Sequence, residues 1–494
     1  MKRLLTISFI AVSLFTFQKG VAQEVKQLTF DEVIKLAEEQ SPQAYMAKHR
    51  FRSSYWEYRS YVAQFRPTLS LSGSAPRYSK GFDRNYNSIT DEYTYTPKNT
   101  IYSSSTLSLS QAIGFSGTTI ALTSKFDHQY DFDKERRTFT TTPLVGINVT
   151  QPIKQYNTLK WEKKIEPLKY EMAKKTFLAN IESVHQQAVQ YFFSLALAQI
   201  NKQIAVMNLS NADTLYRIAD GRYRLGTIAE DELLQMQLSY LNAETARKEA
   251  DMNLRDREIR LRTFLGFNDN VRLELIIPNY IPDLQVNMQE VLDLAMKNNP
   301  DIMNQQVTIL NAQSSVARAR ANKGLNASLG LSLGLTTSGK DLSYSIDNPS
   351  QSQGVNLTFS LPILDWGRGK GNYRMAQSSL ELAQVQQKQV MTDFEQNLFL
   401  DVEQFNLQKN QVQIAAKSDT VAMRMYEVTK QRFLIGKIAI LDLNNADTKK
   451  DQNRRAYIQS LQNYWNYFFN MRALTLYDFI DKKPLETDYE LLLN

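Results

Sequence analysis

Residues 328–336 alternate leucine strictly with small or polar residues, reading Ser328-Leu329-Gly330-Leu331-Ser332-Leu333-Gly334-Leu335-Thr336. Successive side chains of a β-strand point to opposite faces, so this stretch predicts a strand with one leucine face and one polar face. The same alternation recurs in residues 355–361, and earlier in the chain in residues 68–72, 107–110, 119–123 and 145–150. Strands of membrane barrels have this pattern because one face contacts lipid and the other contacts water.

A half-buried sheet of a soluble protein alternates in the same way, so the pattern of one hairpin alone favours that interpretation. Three observations favour the membrane interpretation instead. The chain begins like an exported protein, no apolar helix face is evident to cover the strands, and the segments that link them are polar and rich in tyrosine. These tyrosines are Tyr78, Tyr86, Tyr93, Tyr95, Tyr102 and Tyr130. Four to six strands per chain are too few to close a pore, so this interpretation requires oligomerisation.

Two copies of one unit are indicated by repeated sequence. Residues 28–37 correspond to residues 286–295 at an offset of 258, and Gln151-Pro152-Ile153 corresponds to Leu361-Pro362-Ile363 at an offset of 210. Residues 222–226 and 432–436 keep the offset of 210, so the first copy has 48 extra residues, all before residue 151. The predicted repeats are residues 23–285 and 286–494.

Each repeat is predicted to contain a helix, barrel strands, a helical hairpin and a collar segment. The strands fall at about 68–152 and 326–362, the hairpins at 158–265 and 368–473, and the collars at 266–285 and 474–494. No proline lies between Pro167 and Pro278, or between Pro362 and Pro484, and a glycine near the middle of each stretch favours a turn there.

A narrow coiled-coil seam is predicted along the first arm of each hairpin. Apolar residues recur at spacings of three and four, as they do in coiled coils. The seam comprises Val390, Phe394, Leu398, Val402 and Phe405 in the second copy, and Val184, Ala188, Phe192 and Leu195 in the first. An ordinary long helical hairpin remains an alternative on this pattern alone.

The N-terminus and the composition limit the class of protein. A basic start, an apolar run from Leu4 to Phe17 and small residues up to Ala22 predict a signal peptide over residues 1–22. The chain has no cysteine, its three histidines lack metal-ligand spacing, and its net charge of +7 is spread too thinly to indicate nucleic-acid binding. No nucleophile with a base and no phosphate loop occurs, so we predict no enzyme activity and no cofactor.

The order and double occurrence of these motifs resemble the TolC-like outer-membrane efflux protein family. The resemblance implies an α+β membrane protein in which a homotrimer joins a 12-stranded outer-membrane β-barrel to a long periplasmic α-helical coiled-coil barrel. It also implies an exit duct that works passively in a tripartite efflux or type I secretion system, with a periplasmic adaptor (membrane fusion) protein and an inner-membrane pump. The alternative function is a periplasmic coiled-coil adaptor or structural protein that forms no channel.

Gate residues are implied by a family pattern in which aspartates follow the second turn. Here Asp442 keeps the first acid, whereas Asn445 replaces the second, and Glu232 corresponds to Asp442 in the first copy. An acid in the first turn of a helix is also favoured by the helix dipole alone. The predicted acidic ring therefore competes with a purely structural role for Asp442 and Glu232.

Adaptor docking is implied for the two helix turns. The implied contacts are Arg222, Tyr223, Leu225 and Gly226 in the first copy, and Arg432, Phe433, Ile435 and Gly436 in the second. A glycine cap with flanking cations is the alternative interpretation of both turns.

The 48 extra residues add two alternating segments, 107–110 and 119–123, joined by a short connection that contains Gly114 and Gly117. If both segments belong to the barrel wall, each chain contributes six strands and a trimer contributes 18, rather than the family's 12. The alternative is a soluble hairpin that covers the channel mouth as a lid.

Overall fold

The computed structural model describes residues 25–267, 271–278, 280–341, 349–435, 437–438 and 440–493. The predicted signal peptide and Gly436 lie outside the described residues. The chain forms two compact units. The first comprises the described residues up to Tyr45 with Ser183–Leu284 and Phe405–Asn470, and the second comprises Met46–Glu182, Gln285–Gln404 and Met471 onwards. Each unit draws on both halves of the chain, so the units differ from the predicted repeats.

Eight helices contain most of the described residues. They are α1 (Phe30–Gln40), α2 (Pro42–Ala63), α3 (Thr158–Arg224), α4 (Glu230–Phe264), α5 (Met288–Asn298), α6 (Pro300–Asn322), α7 (Arg368–Leu434) and α8 (Ile440–Thr475). The two longest, α3 and α7, both contain 67 residues, and the bounds of the two differ by 210 positions.

Ten strands accompany these helices in the described ranges. They are β1 (Val25–Thr29), β2 (Thr68–Asn87), β3 (Glu92–Ile113), β4 (Thr118–Asp131), β5 (Arg136–Lys154), β6 (Arg272–Ile276), β7 (Asn326–Gly339), β8 (Ser350–Ser360), β9 (Tyr477–Asp478) and β10 (Lys483–Pro484). In the first unit, β1 pairs with β6 in parallel. In the second, a six-stranded antiparallel sheet has the order β2-β3-β4-β5-β7-β8.

The strands are longer than the alternating segments predicted. Strands β2 and β3 contain 20 and 22 residues and pair along nearly their whole length. Assigning the tyrosines to linking segments was therefore wrong: Tyr78 and Tyr86 lie in β2, Tyr93, Tyr95 and Tyr102 in β3, and Tyr130 in β4. Sequence alternation ends at the leucines, whereas backbone pairing continues beyond them.

Side-chain caps fix the short helices. Thr29 and Glu32 form a capping box at the start of α1, in which the Glu32 amide donates to Thr29 Oγ1 at 3.3 Å and the Thr29 amide donates to the Glu32 carboxylate at 2.8 Å. Ser41 accepts a hydrogen bond from the Ala44 amide, and Asn299 accepts one from the Asp301 amide. The Ser41-Pro42 and Asn299-Pro300 pairs thus end one helix and begin the next.

Aromatic side chains form the core of the first unit. Phe30 packs edge-on against Phe192 with ring centroids 5.3 Å apart, and its ring lies 4.8 Å from that of Trp465. Phe192 and Phe193 are fully buried. Burying one such side chain contributes about 1.5–3 kcal/mol, so this cluster is a large part of the unit's stability.

The predicted coiled-coil seam is confirmed over most of its length. Leu398, Val402 and Phe405 are buried, as are Val184, Ala188, Phe192 and Leu195. The prediction is wrong at the start of the seam in α7, where Phe394 is only half-buried and Val390 is 36% exposed. Among the described residues, no helix combines the length and the hydropathy needed to cross a membrane.

A buried charged cluster lies in the first unit. The Lys450 ammonium on α8 lies 2.6 Å from Asp447 and 3.3 Å from Asp451, and it packs 4.1 Å from the centre of the Tyr426 ring on α7. The Asn208 side chain on α3 donates to Asp451 at 2.9 Å. Burial raises the pKa of the Asp447 carboxyl even though Lys450 opposes the shift. Burial alone would lower the pKa of Lys450, but its hydrogen bond and charge interactions with Asp447 raise it.

Replacing Lys450 by methionine should lower the stability of the helical hairpins by about 3 kcal/mol at neutral pH, because the buried Asp451 and the half-buried Asp447 lose their cation. The loss should shrink as the pH falls, since protonating the carboxyls removes the uncompensated charge. Thermal melting of the helical circular dichroism signal measures the effect. The matched control is Lys449→Met, which changes an exposed lysine beside it and should leave the melting temperature nearly unchanged.

Candidate functional site: the strand wall and the helix turns

One face of the six-stranded sheet is apolar across all six strands. Directly opposite residues of antiparallel strands share a face, and the register pairs apolar residues from one edge of the sheet to the other. The paired residues are Leu69 with Leu109, Leu109 with Leu122, Leu122 with Ile147, Ile147 with Leu333, and Leu331 with Val355. These side chains are 40–78% exposed, so the protein itself leaves the apolar face uncovered.

The opposite face is small and polar at the same level. Ser70 lies opposite Ser108, Ser108 opposite Thr123, and Asn148 opposite Ser332. The Asn148 amide also donates to Thr123 at 2.9 Å. A sheet with an uncovered leucine face and a hydrophilic reverse has the composition of a wall between lipid and water.

The two added segments belong to this wall. Leu107 and Leu109 lie in β3, Ile120 and Leu122 lie in β4, and both strands are hydrogen-bonded to neighbours on each side. A separate lid is therefore excluded. The six strands per chain agree with the prediction, and the leucines of the added strands share the apolar face of the others.

The first helix turn is a glycine-capped helix end. The Thr227 amide donates to the Arg222 carbonyl at 2.9 Å and the Gly226 amide to the Tyr223 carbonyl at 2.8 Å, which is the Schellman pattern. Gly226 has a φ of +69°, the left-handed conformation that glycine adopts without strain. Arg222 is exposed, Tyr223 is 40% exposed and Leu225 is 79% exposed.

The second turn repeats one of these bonds. The Lys437 amide donates to the Arg432 carbonyl at 3.0 Å, 210 positions after the Thr227 bond. Arg432 is exposed and Ile435 is 65% exposed. Phe433 instead is half-buried and packs against a cluster of Tyr426, Leu443 and Ala446. This phenylalanine is part of the helix packing, and Gly436 lies outside the described residues.

The three predicted gate residues are exposed and lie near helix starts. Asp442 is in the first turn of α8, Asn445 follows it one turn on, and Glu232 is in the first turn of α4 with Glu230 and Asp231. Leu443 and Ala446 alternate with Asp442 and Asn445 and are buried, so the polar pair faces away from the packed side of α8. No hydrogen bond or ion pair joins Glu232 to Asp442 in the described part of a single chain.

Sequence reasoning missed the buried cluster around Lys450. Its signal was weak: Asp447, Lys450 and Asp451 form a charged run that usually marks a solvated helix face. The described residues also contain no group of three histidine, aspartate or glutamate side chains able to hold a metal ion.

Curated relatives are distant in sequence. The cation efflux system protein CusC of Escherichia coli strain K12 is 22% identical over 324 residues, which cover 62% of this chain and 67% of that protein. The probable outer membrane lipoprotein SilC of Salmonella typhimurium is 24% identical over 273 residues, which cover 52% of this chain and 56% of that protein.

Solved structures show the same fold. The Campylobacter jejuni CmeC outer membrane channel superimposes with a TM-score of 0.65 at 18% identity, covering 94% of this chain and 88% of that one. The outer membrane protein VceC of Vibrio cholerae has a TM-score of 0.62 at 14% identity, covering 92% and 97%. The α+β fold is therefore the fold of outer-membrane channels.

The family model of the outer membrane efflux protein matches residues 131–267 and 291–475, well over half of the chain. The match leaves β2, β3 and nearly all of β4 outside its range. That family is a family of transport channels and not of enzymes. The chain belongs to the outer membrane efflux protein family, and it is an exit duct of the outer membrane rather than a soluble coiled-coil spacer.

Proposed function

We propose that three copies of the chain close one 18-stranded barrel in the outer membrane, and that their helices line a tunnel in the periplasm. Two internal repeats, residues 23–285 and 286–494, build each copy. The assembly is a passive duct for substrate that an inner-membrane pump delivers through a periplasmic adaptor protein, in a tripartite efflux or type I secretion system.

The observation that carries this proposal is the apolar face that reaches both edges of the sheet. Strand β2 is paired only with β3, and β8 only with β7, within the described chain. An open edge in lipid leaves backbone amides and carbonyls without hydrogen-bond partners, which costs several kcal/mol per group. Pairing β2 of one copy with β8 of the next satisfies both edges.

Strand direction is compatible with this closure. The six strands alternate in direction, so β8 runs opposite to β2, and an antiparallel seam between copies follows. Eighteen strands make a barrel wide enough to leave an aqueous channel, as in porins, whereas eight fill with side chains. The small residues of the polar face leave that lumen open.

A stripe on α7 supports the proposed helical assembly. An exposed apolar residue recurs every seven positions, at Leu400, Leu407, Ile414, Val421, Val428 and Ile435. All six side chains are 49–67% exposed in the single chain, and the last of them, Ile435, lies just beyond the helix end. A seven-residue apolar repeat is the pattern of a coiled-coil seam, and it supports packing of α7 against a neighbouring copy.

Disulfide cross-linking tests the closure, and the absence of native cysteine makes each link unambiguous. Each variant carries one cysteine in β2, at Ser70 or Ser72, and one in β8, at Asn356 or Thr358. At least one of these pairs should give covalent trimers on non-reducing gels. Ser108, in the already paired strand β3, combined with Asn356 is the control and should give no link. Links confined to single chains or to dimers would contradict the trimeric seam.

The acids Asp442 and Glu232 are proposed as rings of negative charge at the tunnel mouth, with Asn445 in place of a second aspartate. Both carboxylates are exposed, and neither has an ion-pair partner in the described chain, so both are available to cations. Threefold symmetry would place three copies of each carboxylate around one opening. Rings of carboxylates concentrate multivalent cations in a pore.

Alanine at both Asp442 and Glu232 should weaken the block of single-channel current by a multivalent cation in a planar bilayer, by about tenfold in blocking concentration. The control replaces Glu249 and Glu427, exposed acids on the same two hairpins, and should leave the block nearly unchanged. An unaltered block in the D442A/E232A protein would leave only the helix-dipole role for these acids.

The two turns are proposed as the docking surface for the helical tip of the adaptor. Leu225 and Ile435 present apolar side chains at the ends of the hairpins, flanked by the cations Arg222 and Arg432. An exposed apolar centre with a charged rim is the composition of a protein interface. Gly226 and Gly436 would set the shape of the turns, and Tyr223 and Phe433 would flank them.

Aspartate at both Leu225 and Ile435 should reduce co-isolation of the adaptor with the channel by at least about tenfold, since each buried leucine-sized contact is worth roughly 1.5–3 kcal/mol. Methionine at the same two positions keeps the apolar contact and should preserve co-isolation. Trimer content on gel filtration should be unchanged in both proteins. Loss of the trimer in the aspartate variant would assign these turns a structural role instead.

A further inference from the structure

The strands continue well past the leucines, and their charged residues separate by face. On the face that carries the leucines, the charged strand residues beyond the leucines are Lys80, Arg84 and Arg137, and all are basic. Lys80 lies opposite Asn99, Arg84 opposite Tyr95, and Arg137 opposite Tyr130, which fixes their face through the register of β3 and β4. All three side chains are exposed.

The acidic strand residues all lie on the other face. These are Asp83, Glu92, Asp127 and Asp131. They share that face with Arg77, Lys98, Lys125 and Arg136, so its charges balance. Two of the pairs are in contact, Lys98 with Asp83 at 3.2 Å and Lys125 with Asp127 at 2.8 Å.

Two of the three cations of the leucine face lie against aromatic rings. The Arg84 guanidinium lies 3.6 Å above the centre of the Tyr93 ring, and the Arg137 guanidinium lies 5.8 Å from that of Tyr130. None of the three cations has an ion pair within the described residues. The acids Asp91, Asp133 and Glu135 lie in the hairpin turns, where Asp91 accepts a hydrogen bond from Tyr86 and Asp133 accepts one from Asn99.

The height of these cations suits the edge of a membrane. Lys80 pairs with Asn99, eight residues along β3 from Leu107, which is about 27 Å along the strand. A strand tilt of about 40° reduces this to roughly 20 Å, and the apolar band of such barrels is about 25 Å tall. Arg137 lies two residues closer to the band and Arg84 four residues farther away, counted along β3.

We propose that this basic and aromatic face, defined by Lys80, Arg84, Arg137, Tyr93 and Tyr130, binds the phosphate-bearing headgroups of outer-leaflet lipids. The face continues directly from the leucine face, so lipid that covers the leucines brings its headgroups to these residues. Guanidinium and ammonium groups bind phosphate through charge-assisted hydrogen bonds, and the rings suit the interface region. The proposal rests on the proposed membrane position of the leucine face.

Lipid binding in detergent tests the proposal. The purified channel is titrated with lipid A, a diphosphorylated glycolipid, with phosphatidylcholine and with inorganic phosphate, and bound molecules are counted by native mass spectrometry. Wild-type protein should prefer lipid A, and the K80Q/R84Q/R137Q protein should bind it at least about tenfold more weakly, because each cation near an anionic surface contributes several-fold. The matched control is R77Q/K98Q/R136Q, which removes three cations from the opposite face of the same strands and should bind lipid A within about twofold of wild type.

Equal weakening in both triple variants, or no preference of the wild type for lipid A over phosphatidylcholine, would overturn the proposal. Inorganic phosphate that binds as tightly as lipid A would also overturn it, by showing a site for free anions. If the K80Q/R84Q/R137Q protein fails to assemble, the salt dependence of lipid A binding to the wild type tests the proposal instead. Binding should fall steeply between about 50 and 500 mM salt, because the electrostatic screening length shortens. Ion conductance in planar bilayers is measured alongside, and a wild-type protein that does not conduct would contradict the duct itself, whatever its lipid binding.

Discussion

A β-strand beside lipid must pair every backbone amide and carbonyl with another strand, because the hydrocarbon offers no alternative partner. Much of the structure follows from this constraint. The six strands satisfy one another through a register that carries the leucines across the sheet on a single face. Within the part of the chain that the structure describes, the sheet nevertheless ends at two unpaired edges, β2 and β8. The proposed trimer is the arrangement that satisfies those edges without adding any new element.

The helices obey a different constraint, since water surrounds much of their surface. Each long helix buries a narrow seam, in which Phe192, Leu398 and Val402 are nearly inaccessible. The remaining surface includes glutamines and the exposed heptad stripe of α7. A single chain thus leaves apolar residues uncovered both in its sheet and on α7, and in the proposed assembly lipid would cover the sheet face and a neighbouring copy would cover the stripe of α7.

The family places the chain among outer-membrane efflux channels, and the first strands of the six-stranded sheet lie before the part of the chain that the family model matches. The family match begins at residue 131, so β2, β3 and nearly all of β4 lie before it. Those strands have the same apolar face and the same polar opposite face as the other strands, so they extend the sheet. They also extend beyond the leucines, where one face carries only basic charged residues and the other carries acidic and basic residues in equal number.

The sequence alone determined the structural features that show as a short periodic pattern or as a repeat at a fixed offset. The alternation at residues 328–336 predicts a strand, and the offset of 210 predicts both turns, because these signals are local and survive without knowledge of what packs on them. The bounds of α3 and α7 follow the same offset. Resemblance to the family supplied the exit-duct function and the residues assigned to gate and docking.

Tertiary structure decided which residues share a face and which charges are buried. A slip of one residue in strand pairing moves every side chain to the other face. Strand β5 ends at Lys154 and pairs with β7, which begins at Asn326, so no local pattern fixes that register. The tyrosines were assigned to linking segments because the leucine alternation stops before them, although they lie in paired strands. No local pattern marks Lys450 as buried, because its burial depends on α7 and on α3, whose Asn208 lies more than 200 positions earlier in the chain. Long-range strand pairing decided which residues share a face, and long-range helix packing decided which charges are buried.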